Sequence, residues 1–237
     1  MRPSAPSNPV FCALDTTDLD RAAALACAVA RDGNGVKIGN ELFSSNGPEG
    51  VARVTRNGEA PLFLDLKFHD IPNTVAGAVR AALPLAPFLL TVHASGGPAM
   101  MRAAAAAARE AGQARPRVVA VTLLTSLDES DLAEVGIEGP TTARVVALAR
   151  LAQASGLDGV VSAPQEIAAV RAVCGPDFTL VVPGIRPAGT ASGDQKRTMT
   201  PAEAMALGAD YLVIGRPITE APDPRAAAHA IARELAA

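Results

Sequence analysis

The stretch Leu62-Phe63-Leu64-Asp65-Leu66-Lys67, continuing into Phe68-His69-Asp70-Ile71-Pro72-Asn73, decides the reading of the fold. Its first half is an apolar run interrupted only by Asp65 and Lys67, as expected of a strand covered on both faces. Its second half turns at Asp70 and opens a helix around Pro72-Asn73, where proline's missing N–H costs nothing. A strand feeding directly into a helix is the repeating unit of a parallel sheet.

The same alternation extends in both directions. Strands are predicted at Val10–Leu14, Gly35–Ile38, Leu62–Lys67, Phe88–His93, Arg117–Leu123, Gly159–Ser162, Thr179–Val182 and Tyr211–Ile214. Helices are predicted at Leu19–Arg31, Pro48–Arg56, Asn73–Leu83, Pro98–Ala111, Thr142–Ala154, Pro164–Val173, Pro201–Leu207 and from Pro224 onward. A doubly wound sheet usually has about five or six strands and often a glycine-rich first turn. Here the first strand ends in Leu14-Asp15-Thr16-Thr17, without that turn. The expectation is an α/β protein, a single (β/α)8 TIM barrel over residues 9–237, with residues 1–8 as a disordered or flexible tail.

A chain of 237 residues with 49% hydrophobic content can bury one large core. The formal charge of −3 and pI near 5.6 provide no basic surface for nucleic acid or anionic lipid. An anionic ligand must then be held by a few local cations or backbone N–H groups. Cys12, Cys27 and Cys174 are far apart and odd in number, so they read as reduced, buried thiols of a cytoplasmic protein. The opening MRPSAPSNP lacks the apolar run of a signal peptide, and no stretch reaches the ~18 apolar residues of a membrane span.

In a parallel barrel the chemistry sits at the carboxyl ends of the strands. Those ends carry Asp15, Lys37, Asp65 with Lys67, His93, Thr125 with Ser126, Arg186, and Gly215-Arg216. An ionised group at a buried strand end is costly unless paired, so the acids and lysines of the first three strands predict a compensating cluster. Strand periodicity points Asp65 and Lys67 to one side and Leu64, Leu66 and Phe68 to the other. A purely structural ion pair would use the same residues. Asp70 has the competing reading of a helix N-cap, and His69 that of a packed or solvent-facing side chain. Pro183-Gly184-Ile185-Arg186 leads into a small-residue stretch with Gly193-Asp194-Gln195, long enough for a lid. Arg186, Gln195 and Arg216 suit a phosphate, in the loops where this barrel usually binds one.

The run Asp65-Leu66-Lys67-Phe68-His69-Asp70-Ile71-Pro72-Asn73-Thr74 resembles the DxKxxDIPNT signature of the orotidine 5'-phosphate decarboxylase family. Thr122-Leu123-Leu124-Thr125-Ser126, Pro183–Arg186 with Gly193-Asp194-Gln195, and Gly215-Arg216 resemble it in the same order, so the likeness runs from Asp15 to Arg216. The resemblance implies conversion of orotidine 5'-phosphate to UMP and carbon dioxide, the last step of de novo pyrimidine synthesis. It implies no cofactor and no metal. Lys37, Asp65, Lys67 and Asp70 would form the catalytic charge network, with Lys67 as proton donor to C6. Asp15 and Lys37 would contact ribose, Thr125 and Ser126 would lie near the base, and Arg186, Gln195, Gly215 and Arg216 would hold the phosphate. Ile71 and Pro183 join the substrate contacts. Asp70 and Thr74 would reach into a neighbouring subunit, implying a homodimer with shared sites. The rival within this barrel is a magnesium-dependent hexulose-phosphate synthase or sugar-phosphate decarboxylase, whose pattern places a carboxylate where Lys37 stands. A non-catalytic phosphate-binding barrel is the rival of another class.

Overall fold

The computed structural model describes residues 5–56, 59–187 and 199–236. Eight strands run in sequence order: β1 Val10–Ala13, β2 Gly35–Gly39, β3 Leu62–Phe68, β4 Leu89–His93, β5 Arg117–Val121, β6 Gly159–Val161, β7 Thr179–Val182 and β8 Tyr211–Ile214. Each pairs in parallel with its neighbours, and β8 pairs with β1, so the sheet closes into a barrel. The outer layer holds α1 Leu19–Ala30, α2 Asn40–Val54, α3 Pro72–Ala82, α4 Gly97–Arg109, α5 Glu129–Glu134, α6 Thr141–Ala154, α7 Ile167–Cys174, α8 Pro201–Ala206, α9 Arg216–Thr219 and α10 Pro224–Ala236.

The expected strands all form, with ends that differ by a residue or two. Three helical features escaped the sequence reading. The short α5 is closed by a capping box in which Asp128 accepts from the Asp131 N–H while the Asp131 side chain accepts from the Asp128 N–H. The single-turn α9 follows β8 directly. The first half of α2 precedes Gly47, which takes a φ of 60° and bends the helix just before Pro48. Polar Asn40, Glu41, Ser44, Ser45 and Asn46 concealed that half, because only Leu42 and Phe43 mark an apolar face.

Side chains separate by parity. Even-numbered residues such as Val36, Ile38, Leu64 and Leu90 face the helices, whereas Phe11, Ala13, Phe63, Leu89, Val119, Val181 and Val213 pack inside the barrel. The floor is aromatic: Phe11 meets Phe63 edge-on at 5.6 Å and Tyr211 at 5.6 Å, while Phe88 meets Tyr211 edge-on at 5.5 Å. Gly35 makes room for it, since a Cβ there would lie 2.4 Å from the Phe11 ring. A chain with only six Phe and one Tyr therefore spends three Phe and its Tyr on plugging the barrel from below. Polar residues that continue the inner row upward emerge at the mouth.

Cys12 and Cys174 are buried as expected, and burial followed by the Asp15 carboxylate pushes the Cys12 thiol up to about 12. Cys27 departs from the expectation: it is half-buried, and Arg56 Nη2 lies 2.8 Å from its sulfur.

Strands β6 and β7 approach closely at Gly159, where a Cβ would stand 2.1 Å from the Thr179 carbonyl oxygen. That neighbour is backbone and cannot rotate away. Gly159→Ala is expected to lower the unfolding free energy by ~1–3 kcal/mol through overpacking. Urea denaturation followed by circular dichroism measures this, and an unchanged midpoint would mean that the strand pair yields freely.

Candidate active site

The inner row continues above the aromatic floor as Lys37 on β2 and Asp65 on β3, both buried despite their charge. Lys37 Nζ lies 3.3 Å from Asp15 Oδ1, at the end of β1, and 3.6 Å from Asp65 Oδ2. Lys67 Nζ donates to the same Asp65 Oδ2 at 2.8 Å. Asp65 thus sits between two ammonium groups, and Lys37 between two carboxylates. The row Asp15–Lys37–Asp65–Lys67 alternates in sign across three adjacent strands. Each charge is compensated by a neighbour, which is the condition for keeping ionised groups at a buried strand end.

Periodicity correctly predicted that Asp65 and Lys67 come together, but not how. The β3–β4 ladder pairs Leu64 with Leu90 and next pairs Phe68 with Val92, so β3 carries extra residues there and bulges. Lys67 lies in the bulge with a left-handed φ of 52°, a backbone state that a residue bearing a Cβ avoids. Its N–H donates to Thr91 Oγ1 at 2.8 Å, and the Thr91 hydroxyl donates to Asp65 Oδ1 at 3.1 Å. Thr91, fully buried, was missed by the sequence reading. The available signal was a polar residue inside the apolar run of β4, two positions before His93 and hence on the same face.

Burial by itself would raise the Asp65 pKa. Lys37, Lys67 and the Thr91 hydroxyl outweigh it, and the carboxyl is held below its ordinary value. His93 and His69 stack with ring centroids 5.2 Å apart, and Ser95 Oγ lies 2.8 Å from His93 Nδ1. Burial, then His69 and Lys67, lower the His93 pKa, which favours the neutral imidazole. His69 is exposed at the edge of this stack.

A cleft of about 410 Å³ opens beside the charge row. Its lining includes Asp15 and Lys37 together with Pro183, Gly184, Arg186, Gly215 and Arg216. Arg186 follows β7 and donates its N–H to the Met199 carbonyl at 3.0 Å, tying the two described ends of that loop together. Burial and the neighbouring Arg216 guanidinium lower the Arg186 pKa, while Glu220 opposes them. Two guanidiniums lining one cleft form a site whose electrostatics improve when an anion enters. Gln195, with Gly193 and Asp194, lies outside the described residues.

The remaining predicted residues are more scattered. Thr125 is half-buried and Ser126 exposed in the loop after β5. Asp70, Ile71 and Thr74 are exposed, Ile71 by 66%. Asp70 is not the N-cap of α3, which corrects one of its two readings. The cap position is Ile71, with no side-chain cap, and the Asp70 carboxylate accepts from the N–H of Ile71 at 2.6 Å. No ion pair joins Asp70 to the described residues of its own protomer.

The model of the orotidine 5'-phosphate decarboxylase / HUMPS family matches residues 8–231. The chain belongs to that family. It is 55% identical over 232 residues to an orotidine 5'-phosphate decarboxylase of Rhodospirillum rubrum, covering 96% of this chain and 94% of the relative. It is 53% identical to the enzyme of that name from Moorella thermoacetica, covering 95% and 91%. The crystal structure of orotidine 5'-phosphate decarboxylase from Lactobacillus acidophilus superposes with a TM-score of 0.86 at 37% identity, covering 98% of this chain and all of that one. The family match spans every strand of the barrel and every charged residue of the row.

The depressed Asp65 pKa has a defined effect on stability. A carboxyl whose pKa is lower folded than unfolded stabilises the protein above its unfolded value of ~3.9, and that contribution fades as pH falls through the folded value. The stability advantage of the wild type over Asp65→Asn is therefore expected to be largest near neutral pH and to shrink below about pH 4. Urea titrations of both proteins across pH test this, and parallel pH profiles would contradict it.

Proposed function

We propose that this protein decarboxylates orotidine 5'-phosphate to UMP and carbon dioxide in the cytoplasm, without cofactor or metal, as a homodimer with shared sites. The observation that carries the reading is the Asp65 carboxylate held between the Lys37 and Lys67 ammoniums, next to a cleft walled by two arginines.

Breaking the bond from C6 to the carboxylate leaves its electron pair in an sp² orbital that the ring carbonyls cannot delocalise. The barrier must then fall through charge placed before the reaction starts. Lys67 stabilises the developing anion and gives it a proton, the carbon dioxide departs, and the neutral amine is reprotonated from solvent. Asp65 faces the departing carboxylate. Two like charges ~4 Å apart at an effective dielectric of ~20 repel by about 4 kcal/mol. That is small against the roughly 8–23 kcal/mol by which enzymes lower barriers. The larger share falls to the ammoniums and to phosphate binding, which lets a remote group orient the ring and exclude water.

Arg186, Arg216, Gly215 and Gln195 take the phosphate in this scheme. Asp15 and Lys37 take ribose hydroxyls, Thr125 and Ser126 lie near the base, and Pro183 and Ile71 complete the contacts. Lys37 also argues for metal independence: its ammonium stands between Asp15 and Asp65, and a divalent ion between those carboxylates would have to displace it. The fall in orotidylate absorbance is expected to proceed in EDTA, and Lys67→Ala is expected to lose at least ~10²–10⁴-fold in kcat. A chelator-sensitive wild type or an active Lys67→Ala would overturn the assignment.

Asp70 and Thr74 complete the partner's site. The support is their exposure together with Ile71, and an Asp70 carboxylate without a described cation in its own protomer. Mixing Asp70→Asn with Lys67→Ala subunits places one intact composite site in each heterodimer. Recovered activity in the mixture, absent from either parent, is the expected result. No recovery once mass spectrometry shows subunit exchange would refute the shared site.

A further inference from the structure

We infer that Thr91 is a positioning residue for catalysis: its one hydroxyl couples the Asp65 carboxylate to the left-handed backbone of Lys67. The inference rests on the decarboxylase reading for its kinetic consequence, but its geometry does not depend on it.

The roles in this bridge are fixed by chemistry. A backbone N–H can only donate and an ionised carboxylate can only accept, so the Thr91 oxygen accepts from Lys67 (2.8 Å) and sends its proton to Asp65 Oδ1 (3.1 Å). The bridge lies where the β3–β4 ladder breaks between Leu64 and Phe68, so the Lys67 N–H is met by a side chain in place of a strand carbonyl. A residue with a Cβ stays at a φ of 52° only where its surroundings over-determine it, and Thr91 supplies one such constraint. Full burial leaves no water to replace the hydroxyl. Asp65 Oδ2 is already taken by Lys67 and Lys37, so Thr91 fixes the remaining oxygen and with it the plane of the carboxylate. Thr91 thus holds the lysine from its backbone while Asp65 holds it from its ammonium.

Thr91→Val keeps the shape and removes the hydroxyl, and Thr91→Ser restores it. In Thr91→Val, kcat for orotidylate is expected to fall by about 10²-fold, as for a misplaced reactive group, with KM near the wild-type value. The acid limb of the pH profile is expected to move up, because Asp65 loses a donor to its charged form. The other groups facing Asp65, namely Lys37, Lys67 and, through Lys37, Asp15, are unchanged in both variants, and His93 remains on β4. Thr91→Ser is expected to recover most of the loss.

Amide exchange in the ligand-free protein provides a readout without catalysis: protection of the Lys67 N–H is expected to drop in Thr91→Val and return in Thr91→Ser. Unchanged kcat and acid limb in Thr91→Val, or a Thr91→Ser as impaired as the valine variant, would overturn the inference. Unaltered Lys67 protection in Thr91→Val would do the same, as would a wild type whose Lys67 N–H exchanges freely should the valine variant not fold. A wild type inactive on orotidylate but with the expected exchange pattern would sink the decarboxylase reading alone.

Discussion

A buried carboxylate between two ammoniums is the interaction on which the rest of this site depends. Lys37 and Lys67 hold Asp65 ionised in the barrel mouth, and Asp65 in turn compensates Lys67 and, together with Asp15, Lys37. The mutual requirement locks the row before any substrate arrives. Removing one member leaves a charge in a place where water cannot fully solvate it. In the proposed reaction such a row stabilises the developing carbanion without first having to reorganise, which is the physical basis of electrostatic catalysis.

Parallel pairing of consecutive strands makes the row possible. β1, β2 and β3 lie side by side, so Asp15, Lys37 and Asp65 meet although they are distant in sequence. The aromatic plug of Phe11, Phe63, Phe88 and Tyr211 fills the space beneath and keeps the charges at the mouth. Lys67 adds a local cost, since a left-handed lysine opposes the intrinsic preference of the chain. The strain sits where the proposed chemistry needs an ammonium at one defined point, and the hydrogen bond to Thr91 and the ion pair to Asp65 hold it there.

Most of the architecture was legible because both sources of secondary structure are local. Apolar runs of strand length between amphipathic, proline-initiated segments revealed the strand–helix alternation. The departures have local causes too: polar residues hid the first half of α2, and α5 and α9 are too short to show a period. The strand-end rule collected Asp15, Lys37, Asp65, Lys67, Arg186 and Arg216 correctly at one mouth. It passed over Thr91, because a buried threonine carries no charge to mark it out within an apolar strand. The competing reading of Asp70 as a helix cap fails because the helix starts one residue later, with Ile71 at the cap position.

The sequence by itself determined the strand–helix alternation, the eight-stranded barrel and the residue types gathered at its rim, because periodicity and charge can be read a few positions at a time. Only the tertiary structure decided that Lys37 stands between Asp15 and Asp65, that β3 bulges to turn Lys67 left-handed, and that Thr91 ties the two ends of that bulge together. These contacts join residues that are 22 to 28 positions apart or whose backbone departs from strand geometry. They form only when neighbouring strands pair and water is excluded between them, and no local window of the chain contains either.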